Sequence, residues 1–204
     1  MKPFSRVTGR AAVIDRADVD TDQIMPKQFL KRIERTGFGQ FLFHDWRFDP
    51  EGRPRPEFEL WNPAYEGAKI LIAGRNFGSG SSREHAPWGL EDYGFEAIVA
   101  PSFGDIFAAN SLKIGLVPIT LPPDEVKALM DSVDPVHGSE LTVDLERLRI
   151  TDGNGRELVF AFDEAQRHRL LEGLDDIAIA LRREDEIAAW ERSGRQAIDT
   201  TVLR

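Results

Sequence analysis

Ile70-Leu71-Ile72-Ala73-Gly74-Arg75-Asn76-Phe77-Gly78-Ser79-Gly80-Ser81-Ser82-Arg83-Glu84 is the stretch that decides the fold. Ile70 to Ala73, with Lys69 ahead of them, form an unbroken apolar run of strand length, as a strand covered on both faces requires. Three glycines then turn the chain. Ser81 and Glu84 stand at the S-x-x-E spacing of a helix capping box, Pro87 is tolerated in a first helical turn, and Gly94 is a natural stop. Working outward, Ala97-Ile98-Val99-Ala100 predicts a second strand. Ser102 is placed to cap a helix that reaches about Lys113 and stops near Gly115. Leu116-Val117-Pro118-Ile119 predicts a third strand, close to a sheet edge because Pro118 has no N–H to donate. Strand, helix, strand, helix, strand with short loops implies a parallel βαβαβ core.

The flanks read differently. Ala11-Ala12-Val13-Ile14 predicts a short strand that empties into an acidic stretch, residues 15–22, without apolar periodicity and therefore a loop. Residues 28–46 allow at most short helices. Prolines 50, 54, 56 and 63 exclude regular helix from residue 48 to 63. After Pro122-Pro123 a short helix is expected over residues 124–130. Strands follow at 141–143 and 148–150, the latter turning through Asp152-Gly153 into a strand at 158–162, a strong hairpin signal. Helices are expected at 163–171 and 176–190, the second with an apolar stripe of Ile177, Leu181, Ile187 and Ala188. No linker or repeat interrupts the chain. The fold class is therefore α/β, a mixed sheet in one domain over residues 1–204, with a C-terminal helical extension from about 163 to 204.

The 204 residues are 41% hydrophobic and 30% charged, with a net charge of −9. A surface this acidic repels phosphate backbones, which argues against nucleic-acid binding. Cysteine is absent, so this chain alone offers no disulfide, thiol nucleophile or iron–sulfur ligation. No apolar run approaches the ~18 residues that suggest a membrane span, and the first residues lack the apolar core of a signal peptide. A cytoplasmic location is expected.

The glycine-rich turn joins the C-terminal end of a parallel strand to a helix N-terminus, where open α/β sheets bind ligands. Backbone N–H groups, two hydroxyls and Arg83 there suit an anion such as a carboxylate. Familiar nucleotide and hydrolase motifs fail. A dinucleotide fingerprint from Gly78 would need glycine at Arg83, a phosphate loop lacks its Gly-Lys pair, and no serine satisfies Gly-x-Ser-x-Gly. From spacing alone, Ser81 is either a helix cap or a functional hydroxyl. Asp18-x-Asp20-x-Asp22 resembles the start of a calcium loop, but Gln23 and Phe29 stand where glycine and glutamate are required. A solvated loop or a carboxylate-lined cleft wall remains. The four histidines fall in separate segments with no metal-ligand spacing. His85 is expected to be a satisfied, partly buried residue, although an orienting role is open; His168 is read as a surface residue. The tryptophans and phenylalanines are expected in the core or an interface.

The string Asn76-Phe77-Gly78-Ser79-Gly80-Ser81-Ser82-Arg83-Glu84-His85-Ala86-Pro87-Trp88 resembles the signature of the 3-isopropylmalate dehydratase small-subunit family, the counterpart of the swivelling domain of the aconitase superfamily. Asp20-Thr21-Asp22-Gln23-Ile24-Met25-Pro26 is similar to that family's early loop. Phe29-Leu30-Lys31-Arg32 through Asp45-Trp46-Arg47 resembles the bacterial segment that follows. Phe103-Gly104-Asp105-Ile106-Phe107 to Asn110, closing with Gly115-Leu116-Val117-Pro118-Ile119, resembles the next shared block. Ser79 is a departure, since many relatives have cysteine there. The resemblance covers nearly the whole chain.

It implies a swivelling β/β/α domain and a hydro-lyase that interconverts 2- and 3-isopropylmalate in leucine biosynthesis. Ser81 matches the catalytic base. Ser82 and Arg83 match substrate-carboxylate binders, and Asp22, in the segment facing them, is expected to bind substrate with them. In relatives of the aconitase type an arginine in this early region grips an extra substrate carboxylate, whereas here the stretch is acidic, in keeping with an isopropyl group. No metal is implied on this chain; a [4Fe–4S] cluster is implied on a separate large subunit, with which this chain would form a heterodimer. Related small subunits serve homoaconitate, citramalate or maleate hydro-lyases, and a non-catalytic carboxylate-binding module is the reading outside enzymology.

Overall fold

In the computed structural model, which describes residues 1–31 and 36–193, seven strands form one sheet in the order β4-β3-β2-β1-β5-β6-β7. Its parallel half comes from the apolar runs. Strands β2 (Ile70–Ala73) and β3 (Ala97–Ala100) are wholly buried, and β4 (Val117–Thr120) lies at the sheet edge with Pro118 paired to Ile98. Strand β1 (Arg6–Ile14) is longer than the apolar run within it. Ala11 to Ile14 pair in parallel with β2, while Arg6 to Arg10 pair antiparallel with β5 (Glu140–Asp144). Residues 6–10 alternate exposed and buried, as a strand with one wet face does, so they carry no continuous apolar signal. The hairpin of β6 (Arg149–Thr151) and β7 (Glu157–Val159) completes the antiparallel half.

The period-2 alternation of side chains divides the core into two layers. Ala11, Ile70, Ile72, Val99 and Val117 face one side, where Val126, Leu129 and Met130 of helix α5 (Pro123–Ser132) cover them. Ala12, Ile14, Leu71, Ala73 and Ile98 face the other. There they meet Ala86 and Leu90 of α3 (His85–Tyr93), Phe107 of α4 (Asp105–Ile114) and an aromatic layer including Phe38, Phe58 and Phe43, the last just ahead of the short helix α2 (His44–Arg47). The expectation that phenylalanines and tryptophans lie in the core or an interface agrees with the burial of most phenylalanines, whereas the described tryptophans are at most partly buried and Trp190 is exposed.

Four local expectations need correction. Residues 21–24 form a single helical turn, α1 (Thr21–Ile24), inside the segment read as loop. The capping box belongs to it: the Asp20 carboxylate accepts from Gln23 N at 2.8 Å and the Gln23 side chain accepts from Asp20 N at 2.9 Å. Ser81, by contrast, caps nothing, because α3 begins only at His85 and its N-cap, Glu84, makes no side-chain capping bond. Ser102 does not cap α4 either; Gly104 holds that position, and the Ser102 hydroxyl accepts from Asn76 N at 2.9 Å. The helix expected over 176–190 is two, α7 (Asp176–Leu181) and α8 (Glu184–Arg192), broken where Arg183 leaves helical geometry. Its apolar stripe stays largely exposed, with Ile177 at 72% and Leu181 at 59%, so no packed core enforces continuity. Ahead of them, α6 (Glu164–Glu172) starts at the Asp163 cap as expected. Residues 194–204 of the expected helical extension, and 32–35 of the segment read as short helices, lie outside the described residues.

Candidate functional site

The site is assembled where three strands end. Three loops follow β1, β2 and β3, and their backbones interlock. Asp18 N donates to Arg75 O at 2.9 Å, Gly78 N to Val19 O at 2.7 Å, and Thr21 N to Ser79 O at 2.8 Å. On the other side Phe77 N donates to Ser102 O at 3.1 Å and Gly104 N to Phe77 O at 3.0 Å. The central turn needs residues that accept left-handed backbone: Asn76 has φ 57°, Gly78 φ 74° and Gly80 φ 97°. Close approach matters as well. A Cβ on Gly104 would lie 2.5 Å from Gly78 O, which is why this loop carries glycine at that position.

The interlocking brings Ser81 and Thr21 together across sixty positions of sequence. Thr21 Oγ1 donates to Ser81 O at 3.2 Å and lies 3.3 Å from Ser81 Oγ. Thr21 is buried, whereas Ser81 and Ser82 face solvent. Arg83 forms an ion pair with Asp22, with the arginine side chain at 21% exposure and the aspartate at 53%. The aspartates of the Asp18-x-Asp20-x-Asp22 alternation therefore point to different partners. Asp18 goes to Arg75 and Asn76, Asp20 caps α1, and Asp22 meets Arg83. Each carboxylate is thus committed to a different partner instead of converging as the ligands of a calcium loop do. Among the described residues no group of three or more His, Cys, Asp or Glu is placed to hold a metal ion.

His85 packs edge-on to Phe38 at 5.3 Å and tilted over Trp88 at 4.8 Å. Burial lowers its pKa, with Glu84 pulling it up and Arg83 pushing it down, so the ring is neutral near pH 7. It serves the aromatic layer beneath the site. His168 is exposed on α6. The one contact that residue-type reading did not single out is Thr21, whose signal was present only as the middle member of Asp20-Thr21-Asp22.

The model of the aconitase C-terminal domain matches residues 1–124. Over 191 residues the chain is 54% identical to the 3-isopropylmalate dehydratase small subunit of Bacillus subtilis, covering 94% of this chain and 96% of that one. The chain belongs to the 3-isopropylmalate dehydratase small-subunit family. The small subunit of Rhodopirellula baltica is 55% identical over 194 residues, with 95% and 99% covered. A solved structure of 3-isopropylmalate dehydratase from Methanocaldococcus jannaschii superposes with a TM-score of 0.66 at 24% identity, covering 91% of this chain and 99% of that one. That last likeness carries the fold alone, a mixed sheet of parallel and antiparallel strands with helices. This small-subunit family belongs to the aconitase superfamily of hydro-lyases, and the stretch that brings Ser81, Ser82, Arg83 and Asp22 together lies within the matched domain.

Proposed function

We propose that this chain acts with a large subunit, in the cytoplasm, to interconvert 2-isopropylmalate and 3-isopropylmalate by dehydration and rehydration, and that it does so as one swivelling unit with its C-terminal helices appended. The observation that carries the reading is the meeting of Ser81 with Thr21 and of Arg83 with Asp22 at one end of the parallel strands. Dehydration needs a base for a weakly acidic proton beside a carboxylate, and a grip on the carboxylates. Ser81 is the base. Its Oγ takes the proton while the C–H electron pair stays on carbon to form the double bond. In rehydration toward the other isomer Ser81 delivers a proton to the carbon that lost the hydroxyl, while a hydroxyl adds to the carbon that lost the proton.

A serine alkoxide needs stabilisation. With Ser81 neutral, the Thr21 hydroxyl donates to Ser81 O and can accept from Ser81 Oγ. With Ser81 ionised, the Thr21 proton turns to the alkoxide, and Arg83 supplies positive potential. Ser82 and Arg83 bind a substrate carboxylate. Arg83 offers a planar fork of five donors, so a carboxylate can share it with Asp22, which holds the guanidinium in place beforehand. The residues of this chain do not fit an iron–sulfur cluster, since they include no cysteine. The [4Fe–4S] cluster implied by the family resemblance is assigned to the large subunit, and departure of the hydroxyl is left to that side of the cleft.

Arg83→Lys tests the grip. A point charge replaces a two-pronged clamp, so KM for isopropylmalate in the reconstituted enzyme should rise roughly tenfold to a hundredfold, at about 1.4 kcal/mol per decade. The value of kcat should change far less. An unchanged KM would remove Arg83 from the substrate site. Running homoaconitate, citramalate and maleate beside isopropylmalate assigns the substrate.

A further inference from the structure

The geometry points to Asp18 as a positioning residue for Ser81, an inference that rests on the reading of Ser81 as base. Asp18 lies outside the Asp20-Thr21-Asp22 segment and touches neither Ser81 nor Arg83. Both of its carboxylate oxygens are nevertheless committed to the serine-bearing turn. Arg75 Nη2 donates to Oδ2 and Asn76 Nδ2 donates to Oδ1, each at 2.9 Å. Its backbone N–H makes a third bond, to Arg75 O. Asp18 and Asn76 both have φ 57°, a left-handed conformation that Asp and Asn accept more readily than other non-glycine residues. The clamp thus joins two left-handed residues across the gap between the β1 and β2 loops.

From this clamp the two loops zip together in one direction. Gly78 and Ser79 donate to Val19 O, Asp20 bridges Ser79, Thr21 N donates to Ser79 O, and the last tooth is the contact of Thr21 with Ser81. A slip at the first tooth is passed to the last. The Asp18 and Arg75 side chains are 50% and 67% exposed, so their ion pair contributes little to stability. Placement is what it offers, and a misplacement near 1 Å can cost a base about 10²-fold.

The test uses the reconstituted two-subunit enzyme and isopropylmalate carrying deuterium at the carbon that loses its proton. Asp18→Gly accepts φ 57° but removes the carboxylate. It should lower kcat roughly tenfold to a hundredfold, leave KM within about twofold, and raise the deuterium isotope effect on kcat, because proton transfer becomes slower than later steps. Asn76→Gly keeps the backbone and removes the other partner, and should reproduce this pattern. Asp18→Asn retains a side-chain acceptor and adopts left-handed backbone, so it should recover most of the activity. Wild-type kcat and isotope effect in both glycine variants, in an enzyme that Ser81→Ala inactivates, would overturn the role of Asp18 alone. Equal losses in Asp18→Asn and Asp18→Gly would also overturn it, since charge rather than placement would then be at work. Full activity in Ser81→Ala would instead remove the base itself and the proposal with it.

Discussion

Ser81→Ala should lower kcat of the reconstituted enzyme by about 10²–10⁴-fold while the thermal midpoint of the free chain scarcely moves. At 1.36 kcal/mol per decade, the smallest of these losses is about 2.7 kcal/mol of transition-state stabilisation. The structure makes the experiment cleaner than the sequence suggests. A capping serine costs ~0.5–2 kcal/mol when truncated, which would blur a kinetic defect with a folding defect. Ser81 caps no helix, faces solvent, and among the described residues its hydroxyl is hydrogen-bonded to Thr21. Substitutions at such positions stay within roughly 0.5 kcal/mol. Stability and catalysis should therefore part company in this variant. Near wild-type turnover would require another base, and a large drop in the midpoint would show a structural role that the described contacts do not contain.

Gly78→Ala should be strongly destabilising. Its Cβ would stand 2.2 Å from Phe107 Cγ and 2.6 Å from both adjoining ring carbons. That ring has little room to withdraw. Phe107 is 1% exposed, edge-on to Phe77 at 5.5 Å and stacked on Phe103 at 6.2 Å. Overpacking costs ~1–3 kcal/mol, and left-handed backbone at alanine adds ~1–2 kcal/mol. The sum, about 2–5 kcal/mol, is a large share of a typical stability of ~5–15 kcal/mol. It corresponds to a fall in Tm of about 4–20 °C for a chain of this size. Gly52→Ala is the matched control: φ is +79° there, but nothing lies within 4 Å of the added Cβ. It should lose only the backbone contribution. Equal midpoints for the two variants would mean that the Phe107 contact carries no cost.

The parallel strands were legible because burial on both faces leaves an uninterrupted apolar run, as in Ile70 to Ala73 and Ala97 to Ala100. The stops at Gly94 and Gly115 were legible for a similarly local reason, since each takes left-handed backbone at a helix end. Residues 6–10 of β1 were hidden, because their pairing with β5 is a property of a segment more than a hundred residues away. The caps differ from the spacing-based expectation because spacing is ambiguous. Ser81-x-x-Glu84 and Asp20-x-x-Gln23 both satisfy the rule, and only tertiary contacts decide which segment is free to start a helix. Ser81 is held by Thr21 and Ser102 by Asn76, so neither hydroxyl is available for capping. The residues of the site were named from the resemblance. Their convergence was not readable, because it depends on loops interlocked over about sixty positions.

The most direct test of the account is turnover on reconstitution. The purified chain, alone and then mixed anaerobically with its large subunit, is given 2-isopropylmalate, and formation of 3-isopropylmalate is followed over time. The account predicts no conversion by the chain alone, and conversion that rises with added large subunit until it saturates. Conversion by the isolated chain, or none by the assembled pair, would contradict it.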